Sequence, residues 1–527
     1  MKAKRTYIFH PLLFALFPVL FIFSSNLGGY RAGELLIPSI MVLAAAGALW
    51  AGLTFLTRNA GKSAITVTIF ALFFSSYGHI SFIVRAATGP HIGLRDRLDV
   101  VLIPFCIATS ALCIYLAWKT KRLLIGLTSA FNVASMVLVA FSTSKICVYE
   151  VRAWHMRRLA VALTQRTEVK IRRPAQPRSI YYVILDAYGR ADKLNELYGY
   201  DNSPTVDFLR AKGFFVAGKS RTNYSHTSAS TASSMNFEYL GDLSGKFVDS
   251  DKRPLGDMTR DSRIARIMRE AGYRVVSFND RSEIRGADVY MAPPEETEFQ
   301  RGLLNTTVVT SAARERAKDR ARIQFAFDHL PDAAKLSGPC FIYAHIMAPH
   351  PPFVFDAEGG DPGYQTYFGT GSGNHLIKRG GITRSEYIAQ YRAQLTYVNM
   401  LLRKAVEEIL AASTIAPVIV LQGDHGPCGF LCHERPEDTY LGDRMSIFNA
   451  YYLPGGGDKL LYDSITPVNS FRVVLNAYFG ARCSLAEDKS YFAPLDRPWQ
   501  LRDVTGEIDS DQDRERLRML RQTDYFP

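Results

Sequence analysis

Four short stretches of this chain bring together carboxylates, hydroxyls and imidazoles. Gly423-Asp424-His425-Gly426 sets an acid beside an imidazole, and adjacent Asp and His can point an oxygen and a nitrogen at one cation. The flanking glycines allow the tight backbone that this needs. Alone, such a pair is as readily a turn or capping feature. Asp186, in Asp186-Ala187-Tyr188-Gly189-Arg190, supplies a second carboxylate. As a helix N-cap it would be ordinary; with Asp424 and His425 it completes a metal-ligand set suited to Mn²⁺, Zn²⁺ or Mg²⁺.

The third stretch runs from Asn223 to Asn236 and holds six hydroxyl residues between Thr227 and Ser234. It reads either as a polar loop leading into a helix, or as a nucleophile at a helix N-terminus, where a cation and the helix dipole stabilise an oxyanion. Position alone favours none of the hydroxyls. The fourth is His345-Ile346-Met347-Ala348-Pro349-His350-Pro351-Pro352. Histidines five apart in a Pro-rich loop share no helical face. They suit a rigid loop that presents imidazoles to an anion or a leaving group.

The elements that must position these residues are legible around them. β-rich runs at 180–185, 273–278, 340–344, 417–421 and 446–453 each precede polar residues. Runs of helical period lie between them, clearest at 385–412, where Tyr387, Tyr391, Leu395, Val398, Leu401, Leu402 and Ile409 share a side. The alternation predicts an α/β domain over residues 179–482, with a mostly parallel central sheet flanked by helices. In such sheets ligands gather beyond the C-terminal strand ends, where Asp186, His345 and Asp424 fall. Residues 483–527 form a C-terminal extension whose tail is dense in charge.

Residues 1–145 are of another kind. Five apolar runs, at 7–27, 35–56, 64–84, 100–118 and 123–141, are each about 19–22 residues long, enough helix to cross a bilayer core. They predict a five-helix transmembrane domain. The first run lacks a clear small-x-small cleavage site and is taken as a retained helix. Lys2, Lys4, Arg5, Arg58, Lys62, Lys119, Lys121 and Arg122 fall on one side, and Arg31, Arg85, Arg95 and Arg97 on the other. The excess places the N-terminus in the cytoplasm and, after five spans, the catalytic domain outside. Residues 146–178 are a basic linker with amphipathic character, fit either for an anionic membrane surface or for a solvated connection.

The net charge of +12 at first invites a nucleic-acid partner. Residues 1–150 carry 13 basic and 4 acidic side chains, and residues 151–178 carry 8 and 1. The remainder is slightly acidic, so the basic excess is a membrane signal and no nucleic-acid partner is expected. Seven cysteines are too few for a disulfide framework.

The ordered set of strand-Asp, Thr/Ser segment, His-x4-His-Pro and strand-Gly-Asp-His-Gly, behind an apolar N-terminal region, resembles the alkaline phosphatase/sulfatase superfamily. It is most similar to the membrane-anchored branch of lipoteichoic-acid-synthase-like and phosphoethanolamine-transferase-like proteins. The resemblance implies Asp186, Asp424 and His425 as ligands of one divalent metal ion. It implies Thr227 as both metal ligand and phosphorylated nucleophile, and His350 as the histidine at the phosphate or leaving oxygen. His345 and, more loosely, Arg444 are implied as substrate-binding. No Cys or Ser stands in the C/S-x-P-x-R context that sulfatases need for formylglycine, which favours phosphoryl chemistry.

The implied function is metal-dependent transfer of a phosphoglycerol or phosphoethanolamine headgroup from a membrane phospholipid donor to an envelope glycan or lipid acceptor. The setting would be a bacterial inner membrane, with the catalytic domain periplasmic. A hydrolase using water and a non-catalytic scaffold are the alternatives. His433 is the extra candidate for a second metal, and Cys428 and Cys432 are candidates for a small-loop disulfide.

Overall fold

The structure, a computed structural model, describes residues 7–27, 30, 32–87, 98–120, 124–164, 169–278, 283–293, 298–307, 312–363, 373–379 and 382–522. Of the charges that set the expected orientation, Lys2, Lys4, Arg5, Arg31, Arg95, Arg97, Lys121 and Arg122 lie outside the described residues. The chain divides into two compact units: Met1–Trp154 with Pro294–Ala312, and His155–Pro293 with Ala313–Pro527.

In the first unit four helices are long and apolar enough to cross a membrane: Ala32–Thr57, Ala60–Ser81, Leu98–Lys119 and Ile125–Met156. The first expected span is the shorter helix His10–Ser25, of 16 residues, about 24 Å long against a core of roughly 30 Å. Among the described residues this unit thus holds four apolar helices of spanning length and one short one. The expected break near residue 145 does not occur. One helix runs Leu124–Thr164, since no Pro or Gly interrupts residues 142–164. The last span therefore continues into the first part of the basic segment, as far as Thr164.

Several polar groups inside the unit pair with one another, as apolar surroundings favour. Asn132 Oδ1 accepts from the His10 amide at 3.0 Å, and His10 Nδ1 lies 2.7 Å from Thr68 Oγ1. The segment assigned from sequence to the catalytic domain at 294–312 belongs here instead. On its short helix Glu298–Leu304, Phe299 is fully buried and meets Phe23 and Tyr30 edge-on at 5.6 and 5.2 Å. Gly78 N–H donates to Thr306 O at 2.7 Å.

The second unit is built on seven strands: β1 (Ile180–Leu185), β2 (Phe215–Val216), β3 (Arg274–Phe278), β4 (Val289–Met291), β5 (Cys340–Ile346), β6 (Val418–Gly423) and β7 (Asn449–Tyr452). Their order is β2-β7-β6-β1-β5-β3-β4. β1 pairs in parallel with β5 and β6, β5 with β3, and β3 with β4, while β7 runs antiparallel to β6 and β2. β1 is buried at every position because both faces of the sheet are covered. Tyr181, Val183 and Leu185 enter one core cluster, and Ile180, Tyr182 and Ile184 the other. This is the period of two along a strand read out as two cores.

Helix Arg384–Ala412 covers the first face, opened by a capping box of Thr383 and Glu386. Helix Pro467–Phe479 packs in the second cluster. The C-terminal extension is part of this unit: Phe492, Val504, Ile508, Leu517 and Leu520 belong to the first core cluster.

Candidate active site

Parallel pairing brings the candidate residues to one level. Leu185 pairs with Gly423 on β6 and with Ile346 on β5. Asp186 and Asp424 therefore emerge together one residue beyond, and His345 sits at the end of β5 beside them. Asp186, His345 and Asp424 each offer a ligand atom within 4.8 Å of the others, and all three are buried. His345 Nε2 is 3.2 Å from Asp186 Oδ2. Sequence reading placed His345 on substrate; the structure sets it against the ligand carboxylate.

The backbone around the two acids is tightly determined. Ala187 adopts φ 62°, unfavourable for a residue with a Cβ, and its N–H donates to Asp424 Oδ1 at 3.1 Å. His425 N–H donates to the same oxygen at 3.0 Å. The glycines flanking Asp424-His425 are required for room rather than for an unusual φ. A Cβ at Gly426 would stand 2.0 Å from Asp443 O, and one at Gly423 would stand 2.6 Å from Tyr188 O.

Thr227 is the first residue of helix Thr227–Asn236, after His226 at the N-cap. Its hydroxyl thus lies at the positive end of the helix dipole. Thr227 Oγ1 is 3.0 Å from His425 Nε2, which singles it out of the hydroxyl-rich run. The tautomer of His425 follows from its other nitrogen. Nδ1 lies 3.0 Å from Gly426 O, a carbonyl can only accept, and so the ring proton is on Nδ1. Burial and Arg444 hold His425 well below the usual imidazole range despite Asp186. Nε2 is therefore a lone pair, and the Thr227 hydroxyl donates to it.

That lone pair faces two more. His425 Nε2 is 3.5 Å from Asp186 Oδ1 and 3.3 Å from Asp424 Oδ2, and both oxygens are buried without a hydrogen-bond partner among the described residues. Acceptors turned toward one another in a buried site are costly unless a cation lies among them. Burial would raise both carboxyls. The imidazole of His350 and the hydrogen bond from His345 overcome it at Asp186, which is held low, whereas Asp424 is raised by burial and by Asp186. The donor set of Asp186, Asp424, His425 and Thr227, with His345 at its margin, fits a divalent metal ion.

His350 N–H donates to Asp186 O at 3.0 Å, and its ring lies 6.1 Å from that of His425. Its Nδ1 is bonded to Pro351 O, which directs Nε2 as its exchangeable nitrogen. Arg444 differs from its expected role. It is 2% exposed; its Nε donates to Ser225 O at 2.7 Å and its Nη1 to Gly426 O at 3.1 Å. It braces the segment before Thr227 against the segment after His425 and is not placed as an anion ligand. Cys428 and Cys432 are free thiols, not a disulfide, and Cys428 Sγ accepts from Arg444 at 2.9 Å.

Beside Thr227 lies a row of histidines of which sequence reading singled out His433 alone, as a candidate for a second metal. His226 stacks on His433 at 6.2 Å, the His433 ring is tilted against His375 at 4.6 Å, and His375 Nε2 is 3.1 Å from Glu434 Oε1. His226 was findable as the residue preceding Thr227. Nothing around His375 signals its place.

The Sulfatase family model matches residues 179–469, more than half of the chain, and the protein belongs to that family. It is a membrane-anchored, sulfatase-like phosphotransferase or hydrolase. Among solved structures it is similar to the C-terminal periplasmic domain of EcEptC from Escherichia coli in complex with Zn. That match has 12% identity, a TM-score of 0.42 and covers 66% of this chain and 97% of that one. It is also similar to the integral membrane lipooligosaccharide phosphoethanolamine transferase A from Neisseria meningitidis, at 13% identity, TM-score 0.38, over 89% and 95%. The phosphonate monoester hydrolase of Agrobacterium radiobacter aligns at 13% identity, TM-score 0.39, over 60% and 80%. No curated protein matches the chain.

Proposed function

We propose that this protein transfers a phosphoglycerol or phosphoethanolamine headgroup from a membrane phospholipid to an envelope glycan or lipid, through a phosphothreonine at Thr227. The observation that carries this reading is the Thr227 hydroxyl, 3.0 Å from His425 Nε2 and beside two unpartnered carboxylate oxygens at a helix N-terminus. A divalent cation held by Asp186, Asp424, His425 and Thr227 supplies the charge that acidifies the threonine hydroxyl and offsets charge on the phosphoryl oxygens. The nitrogen donors favour Zn²⁺ or Mn²⁺ over Mg²⁺.

The Thr227 hydroxyl gives its proton to solvent, and its oxygen bonds to phosphorus as the bond from phosphorus to the diacylglycerol oxygen breaks. Protonated His350 gives that oxygen its proton. In the second half the acceptor hydroxyl yields a proton to His350 and attacks phosphorus as the bond from phosphorus to the Thr227 oxygen breaks, and the Thr227 oxygen takes a proton back from solvent. Arg444 keeps Thr227 and His425 in register throughout. The absence of a Cys or Ser in the formylglycine context supports a phosphoryl over a sulfuryl substrate.

The test is mass spectrometry of Thr227 after incubation of the full chain with labelled phosphatidylglycerol or phosphatidylethanolamine. The mass of the adduct names the headgroup, and failure to trap any adduct on Thr227 would sink the reading. Label passing to a glycan rather than to water separates transfer from hydrolysis.

A further inference from the structure

Four side chains of helix Arg384–Ala412 reach the loops that carry the active site. Arg384, Tyr387, Tyr391 and Gln394 stand three or four residues apart and so share one face of the helix. Arg384 Nε donates to Gly429 O at 3.0 Å, and Tyr387 Oη accepts from Cys428 N–H at 3.1 Å; both partners follow His425. Tyr391 Oη donates to Ala187 O at 2.9 Å, next to Asp186. Gln394 turns to the third loop, that of His350.

The loop's own composition creates the need for Gln394. Pro349, Pro351 and Pro352 have no N–H, so among residues 349–352 only His350 has an amide to donate. It goes to Asp186 O at 3.0 Å. The buried carbonyls of Pro349 and His350 must therefore be met from another element. Gln394 Nε2 donates to Pro349 O at 3.1 Å and to His350 O at 3.0 Å, and its Oε1 accepts from Val354 N–H at 2.7 Å and Phe355 N–H at 3.4 Å. A carbonyl only accepts and an N–H only donates, so these partners fix which way the amide points.

Gln394 is fully buried, and its hydrogen-bonding capacity is spent on this one loop. The His350 backbone is thus held from two sides, its N–H by the loop of Asp186 and its carbonyl by the helix. With Nδ1 on Pro351 O, the direction of the ring is set as well. Arg384, Tyr387 and Tyr391 brace backbone beside the proposed metal ligands. Gln394 braces a group outside that set, which separates its effect from metal binding.

We propose that Gln394 is the positioning residue for His350 and through it governs proton delivery to the leaving oxygen. This rests on the reading above, in which His350 gives that oxygen its proton as its bond to phosphorus breaks.

The test compares turnover of labelled phosphatidylethanolamine and phosphatidylglycerol by the full chain in detergent with turnover of bis(p-nitrophenyl) phosphate, whose p-nitrophenolate leaves without needing a proton. Gln394→Met, close in length but without the amide, is expected to lower phospholipid kcat by about 10²-fold and to leave KM within about threefold. The loss with bis(p-nitrophenyl) phosphate is expected to be about fivefold or less. His350→Ala is expected to show the same split, and the double variant to lose no more than His350→Ala alone. Unfolding temperatures check that Gln394→Met is folded; Gln394→Glu, which keeps the shape and the acceptor for Val354 but loses the amide donors, carries the same test if it is not. Equal losses on all substrates, or losses that multiply with that of His350→Ala, overturn the positioning role. Where they accompany a Thr227 adduct in the parent protein, the transfer reading stands. Coupling of Gln394 to His350 without any Thr227 adduct overturns the phosphothreonine and leaves the positioning role. Full phospholipid turnover by His350→Ala overturns the acid role of His350 and that of Gln394 with it.

Discussion

The two units put the same side chains to opposite use. In helix Leu36–Thr57 only Pro38 and Ala46 are buried, while Leu36, Met41 and Phe55 stand 64%, 64% and 84% exposed. In helix Arg384–Ala412 of the catalytic unit, Tyr387, Tyr391, Leu395 and Val398 are wholly buried, and Gln394 and Asn399 are buried with their amides hydrogen-bonded. The first pattern suits a hydrocarbon solvent, where outward apolar surface costs nothing; the second suits water. Buried polar atoms without a hydrogen-bond partner among the described residues occur in both units, His10 Nε2 in the first and Tyr181 Oη in the second among them. What sets the catalytic unit apart is that two such oxygens, of Asp186 and Asp424, face one His425 nitrogen at 3.5 and 3.3 Å. The lesson is that a lone unsatisfied atom does not mark a site, whereas several converging acceptors do.

The sharpest way to break this comparison is at the unsatisfied site. Thr227→Ala is expected to lower headgroup turnover by about 10³-fold or more with little change in unfolding temperature, checked by release of labelled diacylglycerol. Next comes a pair of phenylalanines. Phe471 is fully buried against Tyr182 at 4.8 Å, and Phe471→Ala should cost about 3–5 kcal/mol. Phe105 is 64% exposed on a membrane helix, and Phe105→Ala should stay within roughly 0.5 kcal/mol. Thermal unfolding of the two variants in one detergent decides whether the outward apolar face is solvent-facing.

A smaller effect separates metal from fold. Chelation should abolish turnover and lower the unfolding temperature of the parent protein. Asp424→Asn should stabilise the chelated protein by about 1–3 kcal/mol, because it removes one of two facing carboxylates, and should gain nothing when Zn²⁺ or Mn²⁺ is restored. Calorimetry with and without metal reads both.

The smallest expected effect is at Asp443. Burial, against a hydrogen bond from Tyr198, pushes its carboxyl up from 3.8 to about 7. A folded pKa above the unfolded one means that the native state holds more protons, so stability falls as pH rises between those values. Asp443→Asn should therefore raise the unfolding temperature at pH 8, by roughly 1–2 kcal/mol equivalent, with the gain shrinking toward pH 4.

Much of the catalytic fold was legible because each central strand is a short apolar run ending in a polar residue. The expected 180–185 and 417–421 differ from β1 and β6 by two residues at most. β2 and β4, of two and three residues, are too short to carry a pattern. The insertion at Pro294–Ala312 escaped because Phe299 and Leu303 read equally well as core of either unit. The break expected near 145 came from counting residues per span, although the helix has no breaker there.

By itself the amino-acid sequence determined the division into an apolar anchor and a polar enzyme, the place of the basic excess, and the candidate residues Asp186, Asp424 and His425 with a hydroxyl-rich run beside them. These follow from residue type and from position at strand ends, which are local properties. Only the tertiary structure set His345 against Asp186, 159 residues away, turned Arg444 inward as a brace, and lined up His226, His433 and His375. It also chose Thr227 from among six hydroxyls. The reason is strand order: β1 lies between β5 and β6, and hydrogen bonds between strands remote in sequence decide which side chains share an end of the sheet.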